Sequence, residues 1–400
     1  MGEQTLKKKQ FGKVVMISLL LSPVLQIYGW GKYNVASLLT LSLAIVGLLL
    51  FKASSKKMPK WICVYLAFWY FSHLLANEFP SSLFPLGIIR IFLTYLVFYD
   101  FFELPFFLNQ YRKISSFFLF FFAIQTFSRF ILGKTIVGVF TFLPIATSDL
   151  GEFSSHILDS PRDSAFFSEP AHFVQFLLPL LAIELLYYKR KSWARIVAIV
   201  LALLIMQSGN AVIGLLIIGV FYFFSYHQGK FTTKKLFGFL GVVVAVALAG
   251  YLYINSSMGA NLLQRQETIS SNSIETQGYA GSAFMRIYRG YYIFRDYPLL
   301  QKFIGNDNND YIKAVIAKSE YSWTFYDETY VNAVQAFLIY TGIVGTIFFV
   351  LFFITQWRRT NYCGKTIMAI LLALSFVASL HFTLAMALYL LIPFGMPKET

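Results

Sequence analysis

Charged residues are scarce in this chain. Only 13% of its 400 residues are Asp, Glu, Lys or Arg, whereas 57% are hydrophobic, 19% are aromatic and the mean hydropathy is +0.62. Because so few charges cannot cover a water-exposed surface, the composition excludes a soluble globular protein. Cysteine is also rare. Cys63 lies in a predicted apolar span and Cys363 in a distant loop, so we expect no disulfide framework and no CxxC metal site.

Long apolar segments are abundant instead. About 20 apolar residues cross a bilayer as a helix, and the sequence predicts eleven such spans, or twelve if the last one breaks near His381. The predicted fold is an all-α polytopic membrane protein, a single integral membrane domain over residues 1–400. The first apolar run follows KKKQFGK without a small-residue cleavage site, so we interpret it as an uncleaved helix. The predicted spans are 14–30, 34–51, 61–76, 84–102, 114–132, 166–188, 193–208, 211–226, 235–254, 328–354 and 366–393.

The distribution of Lys and Arg predicts the orientation of these spans. With a cytoplasmic N-terminus, the predicted inside segments hold 20 of the 33 basic residues. Apart from the segment 255–327, the predicted outside segments hold only Lys32, Lys134, Arg162 and Lys398. The positive-inside rule therefore predicts a multi-pass plasma (inner) membrane protein with its N-terminus in the cytoplasm. The inside residues are Lys7, Lys8, Lys9, Lys13, Lys52, Lys56, Lys57, Lys60, Arg112, Lys113, Lys189, Arg190, Lys191, Arg195, Lys230, Lys234, Lys235, Arg358, Arg359 and Lys365.

Two long segments, 133–165 and 255–327, are predicted to lie outside. Long ordered loops are usually functional, which places any chemistry on the outer face. The inside loops are short and contain no Gly-rich phosphate loop, Walker motif or paired-aspartate metal motif. An enzyme working outside, where nucleotides are scarce, needs a substrate that carries its own leaving group. A lipid-linked pyrophosphate sugar is such a substrate.

Polar residues run directly into the sixth span, in SPRDSAFFSEPAHFVQFLLPLLAIELLYY (160–188). Pro170 suits the first turn of a helix, and Ser168 or Glu169 can cap its exposed amides. Arg162, Glu169 and His172 at this helix start suggest a functional site. The alternative is a capped helix start with a solvated ion pair. We expect Glu169 to be the most function-critical carboxylate, as a general base or as the partner that orients a catalytic arginine.

Three arginines fall at the predicted outer leaflet. Arg90 lies six residues into a span that descends from outside, about 9 Å below its edge. Arg129 is three residues from the outer end of the next span, and Arg162 precedes the sixth. Guanidinium groups suit bidentate recognition of phosphate. The alternative for Arg129 is that it only snorkels to the interface. Asp100 and Glu184, at the inner ends of their spans, are interpreted as structural.

The larger external segment contains an amphipathic pattern, GSAFMRIYRGYYIFRDY (281–297), before Pro298. Arg286 and Arg289 share a helix face, and Tyr292 with its neighbouring tyrosines suits a sugar ring or a membrane surface. The alternative is a solvated or lipid-surface helix. A Gly/Asn/Asp turn, FIGNDNNDYI, follows. Asp327 and Glu328 then lie at the start of the tenth span, as rivals of Glu169.

The order of these features resembles the Wzy-type O-antigen and capsular polysaccharide polymerases of the O-antigen polymerase–ligase superfamily. PRDSAFFSEPAHFVQFLLPLL is similar to the family's segment opening a span, and QSGNAVIGLLIIGVFYFF to its hairpin between spans. Arg289 and Gly305 are spaced as in the Arg–fifteen–Gly motif of some polymerases. YDETYVNAVQAFLIYTGIVGTIFF resembles the return into the membrane. The chain has Asp327 and Glu328 where ligases carry a His, and Leu178 where a second spaced motif needs Gly.

The resemblance implies a metal-independent, inverting glycosyltransferase without cofactor. It would polymerise lipid-linked repeat units by transfer from a polyprenyl-pyrophosphate-linked glycan to a new unit. Arg162 and Arg289 would be catalytic with Glu169, whereas the substrate-binding set would be Arg90, Arg129, Arg286, His172, Tyr292, Asp327 and Glu328. Membrane lipids, a flippase and chain-length regulator proteins are the implied partners, and nucleic acid is not. The alternatives are a ligase-like glycan transferase or a transporter of polysaccharide or lipid-linked sugar.

Overall fold

The computed structural model describes residues 3–30, 33–76, 84–140, 143–144, 163–226, 288–318 and 331–398. The described part is mostly helical, in agreement with the predicted all-α class. The predicted ninth span, 235–254, lies outside the described residues. Four candidate site residues also lie outside them: Arg162, Arg286, Asp327 and Glu328.

The N-terminal part consists of five helices joined by short connections. The only strands among the described residues, β1 (Gly29–Trp30) and β2 (Tyr33–Asn34), form a small antiparallel ribbon after the first helix, with Gly29 opposite Asn34. Asn34 then caps the second helix, since its side chain accepts from the Ser37 N–H at 2.8 Å. The helices are α1 (Glu3–Leu25), α2 (Val35–Phe51), α3 (Lys60–Ala76), α4 (Phe84–Phe101) and α5 (Leu104–Leu132), with a 3₁₀ turn at Ser55–Lys57.

The remaining helices form two groups. Three apolar helices follow the first long segment, and three short helices precede a C-terminal group. The first three are α6 (Pro170–Leu186), α7 (Trp193–Ile205) and α8 (Gly209–Tyr226). The short ones are α9 (Gly290–Asp296), α10 (Leu299–Ile304) and α11 (Asn309–Lys318). The C-terminal ones are α12 (Ala333–Arg359), α13 (Tyr362–Ser375) and α14 (Leu384–Phe394).

Two of the described helices, α5 and α12, are long and apolar enough to cross a membrane, and several shorter apolar helices accompany them. The helix α5 begins at Leu104, ten residues before the predicted start of the fifth span, and spans 29 residues. The fold is therefore compatible with an all-α membrane protein, and the number of eleven spans stays a prediction.

The helix α6 is the centre of the largest core cluster. Almost all of its residues from Pro170 to Glu184 are buried, and it packs against α8, α13 and α7. A helix that is apolar on all sides is stable only when neighbours surround it. Residues 163–168, which precede α6, are therefore buried among the helices rather than exposed at the periphery of the bundle.

The predicted tenth span is interrupted. Gly342 in α12 has φ 61° and ψ −166°, so the helical pieces 333–341 and 343–359 meet at a sharp turn. The rings of Phe337 and Phe349, twelve residues apart, stack at 3.9 Å. In a straight helix they would be about 18 Å apart, so the first piece folds back along the second.

The predicted last span, 366–393, is two antiparallel helices. The break near His381 is present, because residues 376–383 separate α13 from α14. Thr360 Oγ1, before α13, donates to the carbonyl of Pro393 in the last turn of α14 and to that of Met396 just after it. Lys398 N–H donates to Arg359 O at 2.9 Å. The placement of Lys398 outside, apart from Arg359, was therefore wrong: both ends of this hairpin lie together. Neither helix reaches the length needed to cross a bilayer, 14 and 11 residues against about 20.

Ion pairs collect at one end of the bundle. Asp100 at the end of α4 is 3.7 Å from Lys57 Nζ and 4.0 Å from Lys8 Nζ. Glu184 is fully buried and holds Arg112 at 2.7 Å and Arg195 at 3.0 Å. Both carboxylates are thus structural, as expected, and both join segments predicted to lie on the same side of the membrane.

Candidate functional site

The segment leading into α6 is fixed by one side chain of α5. The Gln125 amide oxygen accepts from Ala165 N–H at 2.8 Å, and its nitrogen donates to Ile136 O at 2.9 Å and Ala165 O at 3.3 Å. Ala165 has a positive φ of 52°, which is uncommon for a residue with a side chain. The buried Gln125 amide holds this conformation and thereby aims the chain into α6.

Arg129 is part of the same support. Its guanidinium lies 3.0 Å from the carboxylate of Asp163, and Thr126 Oγ1 donates to that carboxylate at 3.0 Å. Burial raises the pKa of Asp163, while Arg129 and Thr126 oppose this shift. Arg129 therefore contacts the segment before α6, and its predicted role in substrate binding stays a prediction.

Glu169 is the N-cap residue of α6, but its side chain makes no capping hydrogen bond. Pro170 follows at the first helical position, as predicted. The hydrogen bond of the Ser168 side chain does not cap a helix amide either. The Ser168 Oγ lies 2.9 Å from Nδ1 of His172, which is one helical turn further along the chain. The predicted capping of the helix amides by the Glu169 side chain was thus wrong, although Glu169 is the N-cap residue.

Arg90 lines a cavity between α1, α2, α4 and the turn that joins α13 to α14. The space open to the centres of water molecules is about 170 Å³. Since one water needs about 10–15 Å³ on this measure, the cavity has room for a group of the size of a diphosphate. Polar side chains surround the half-buried guanidinium: Gln26, Asn34, Ser37, Thr40, Thr94 and Thr383.

His172 lines a second, smaller cavity of about 50 Å³ beside the first. Gln26 and Thr383 belong to the walls of both cavities, so the two are neighbours. The second cavity has amide and hydroxyl groups from Gln175 and Ser379 over an apolar floor that includes Phe176. Among the described residues, Glu169 lines neither cavity.

Arg289 and Tyr292 lie elsewhere. Arg289 precedes α9 and is 1% exposed, so it does not face bulk solvent, and it is not among the described residues lining the Arg90 cavity. Tyr292 is half-buried beneath the guanidinium of Arg295 at 5.5 Å. Arg289 is thus not one of the described residues around the Arg90 cavity, and its catalytic role stays a prediction.

A second polar cluster, which sequence reasoning missed, lies between α3 and the loop after α10. Trp69 Nε1 donates to Asp307 Oδ2 at 2.6 Å, and His73 Nδ1 pairs with Asp307 Oδ1. Tyr65, one turn before Trp69, bonds His381 Nε2 at 2.7 Å, and His381 packs edge-on against Trp69. This cluster connects the loop after α10 to the α13–α14 turn, and Thr383 at the end of that turn lines both cavities.

His73 offered a signal that sequence reasoning did not use, because an ionisable residue within an apolar span is a functional candidate. Asp307 offered none, since it reads as one more polar residue of a turn.

Comparison with known proteins does not assign the chain to a family. No protein-family model matches the chain, and no curated protein matches its sequence. The chemistry of the two cavities is therefore the basis for assigning a function. The first cavity has a cation among neutral hydrogen-bonding groups, and the second has a histidine among amide and hydroxyl groups.

Proposed function

We propose that the chain is a membrane-bound glycosyltransferase that polymerises lipid-linked oligosaccharide repeat units at the outer face of the plasma membrane. The donor would be a growing glycan on polyprenyl pyrophosphate, and the acceptor a hydroxyl of a new lipid-linked unit. The observation that carries this proposal is the Arg90 cavity, since an arginine ringed by neutral donors is suited to a diphosphate.

The position of the cavity supports the same reading. Its wall is made by Gln26 just after α1, the start of α2 and the middle turns of α4. With a cytoplasmic N-terminus, the end of α1 and the start of α2 lie at the outer end of the bundle, and the cavity extends from there to the middle of α4. A lipid-linked substrate reaches this depth with its polyprenyl chain in the bilayer, while Arg90 binds the diphosphate and stabilises the charge that develops as it leaves.

The amide and hydroxyl groups of the neighbouring cavity suit the sugar side of the reaction. They can bind hydroxyl groups without a fixed charge, and Phe176 contributes an apolar wall. No metal or nucleotide is needed for transfer from a diphosphate-linked donor, because the leaving group is already activated.

Interrupted helices favour a second candidate function. Transporters place substrates at discontinuous helices near the middle of the membrane. In this chain α12 turns at Gly342, and Thr383, which caps α14, lines both cavities. A transporter of lipid-linked sugar would move the same substrate across the bilayer without lengthening it.

Deletion and replacement in the source strain test the proposal. A strain without the chain should make single repeat units but no long polysaccharide. Arg90→Ala should insert normally and bind farnesyl diphosphate about 10- to 150-fold more weakly, the range for one charge-assisted contact. Arg90→Lys should recover little, since an ammonium lacks the planar fork. Exposed Lys134→Ala is the matched control.

Three other outcomes separate the alternatives. Long chains that accumulate on the lipid carrier in the deletion strain indicate a ligase. Repeat units that accumulate on the inner side indicate a transporter. Wild-type polymer and wild-type diphosphate binding in Arg90→Ala contradict the assignment of the cavity.

A further inference from the structure

Glycosyl transfer to a hydroxyl group needs a proton acceptor beside the nucleophile. Two side chains at the start of α6 have suitable chemistry, the carboxylate of Glu169 and the imidazole of His172. They differ in what surrounds them. His172 lines the second cavity, and Glu169 is not among the described residues that line either cavity.

The hydrogen bond to Ser168 orients the imidazole. Ser168 Oγ lies 2.9 Å from His172 Nδ1 and is 9% exposed. When Nδ1–H donates to Ser168, Nε2 carries the lone pair and can accept a proton. Among the described residues, the one side-chain hydrogen bond of the His172 imidazole is that of Nδ1 to Ser168. The base role therefore uses the tautomer in which Ser168 Oγ accepts the hydrogen bond from Nδ1–H.

The two cavities have the arrangement that transfer requires. One holds the cation for a leaving diphosphate, the other holds a base, and they share the side chains of Gln26 and Thr383. With about 50 Å³, the second cavity admits a few water-sized groups, so it fits a hydroxyl and its carbon rather than a whole sugar ring.

We infer that the second cavity binds the acceptor hydroxyl, that His172 is the catalytic base, and that Ser168 is its positioning residue. This inference rests on the proposed function. The acceptor oxygen forms a bond to the anomeric carbon of the donor, and the bond from that carbon to the diphosphate oxygen breaks. The diphosphate leaves with the bonding electron pair towards Arg90. The acceptor's proton goes to His172 Nε2 and returns to the diphosphate or to water.

The first test separates transfer from binding. His172→Ala in the full-length chain should reduce polymer formation about 100-fold or more, the usual contribution of a general base. Its affinity for farnesyl diphosphate, measured on the purified protein, should stay within about twofold of wild type, because Arg90 is unchanged. Ser168→Ala should give a smaller loss of polymer with the same affinity.

The second test is chemical rescue in intact cells, where an outer-face site is reachable from the medium. Added imidazole should restore long polysaccharide to cells carrying His172→Ala, because it can occupy the vacated space and accept the proton. The matched variant is Arg90→Ala, for which guanidinium should act and imidazole should not. Rescue of this kind is not expected from a residue with a purely structural role.

Three results overturn the inference. Wild-type polymer from His172→Gln excludes the base, and loss of polymer in Glu169→Gln at the same time moves the role to that carboxylate. Loss of farnesyl diphosphate affinity in His172→Ala assigns the residue to binding or folding instead. Absence of diphosphate binding by the wild-type chain refutes the proposed function itself, and the inference with it.

Discussion

Asp307 is a buried carboxylate in the loop after α10. It is 3% exposed, accepts a hydrogen bond from Trp69 Nε1 and pairs with His73, whose side chain is equally buried. A buried carboxylate is tolerated only when its oxygens are satisfied, and removing its partners leaves an uncompensated polar group. The pair therefore fastens the loop after α10 to α3, at a position next to the α13–α14 turn.

We predict that Asp307→Ala lowers the stability of the solubilised full-length chain by about 3–5 kcal/mol, the range for breaking a buried pair. Asp307→Asn should lose less, because its amide oxygen still accepts from Trp69. Thermal denaturation in detergent measures both. The double variant with His73→Ala should recover about 0.5–3 kcal/mol relative to the sum of the single changes. Additive losses would show that the two side chains do not interact.

The start of α6 could be predicted from sequence because its signals are local. Pro170 at the first helical position and the apolar run after it appear in the structure as expected. The Asp307 cluster could not be predicted in this way. His73 and Asp307 are 234 positions apart, and each separately fits a bland pattern, an apolar span and a polar turn. His73 and Asp307 come together only because the loop after α10 packs on α3 and α12.

Gly305 and Gly342 determine how the loop after α10 packs against α12. Gly305 has φ 76° and ψ 177°, and Gly342 has φ 61° and ψ −166°, a backbone region essentially restricted to glycine. A β-carbon on Gly305 would overlap the backbone of Tyr340 and Thr341, and one on Gly342 the backbone of Phe303 and Gly305. The Asn306 N–H bonds Ile339 O at 2.8 Å at the same contact.

We expect Gly342→Ala and Gly305→Ala each to destabilise the folded chain by at least about 1–3 kcal/mol, the cost of holding a residue with a β-carbon in this backbone region. Overlap with the facing backbone should add to this loss. Limited proteolysis within 288–318 should become faster, because this segment would no longer pack against α12. Gly219→Ala in α8 is the control, because its β-carbon would meet no heavy atom within 4 Å. Equal proteolysis rates in all three variants would contradict this role of the two glycines.

Hydropathy predicts helices but not where they turn. Most predicted spans agree with α1–α8 to within a few residues at one end or both. The two C-terminal spans do not. The break near His381 was an alternative that the sequence suggested, whereas the turn at Gly342 interrupts no hydrophobic run. In the sequence Gly342 is only one residue of the apolar segment YDETYVNAVQAFLIYTGIVGTIFF. The turn depends on a tertiary contact with Gly305, which local composition does not record.

At the scale of the whole molecule, the bundle has two different ends. One gathers Asp100, Glu184 and the lysines and arginines paired with them, together with Arg359 and the C-terminal segment. The other gathers the start of α6, its support by Gln125, and the walls of both cavities. The positive-inside rule predicts that the end with the ion pairs faces the cytoplasm, and this orientation stays a prediction.

The side on which each end lies can be measured by cysteine labelling in intact cells. The background variant replaces both native cysteines, neither of which is in a disulfide. We expect an impermeant thiol reagent to label Ser270→Cys from outside but to miss Lys56→Cys and Arg190→Cys until the membrane is opened. Lys398→Cys should behave like Lys56→Cys, because the C-terminal segment is bonded to Arg359. Labelling of position 56 or 190 from outside, with position 270 protected, would invert the topology and place both cavities on the cytoplasmic side. An outside label at position 398 alone would instead contradict the antiparallel α13–α14 hairpin, since a single crossing is the arrangement that separates Lys398 from Arg359.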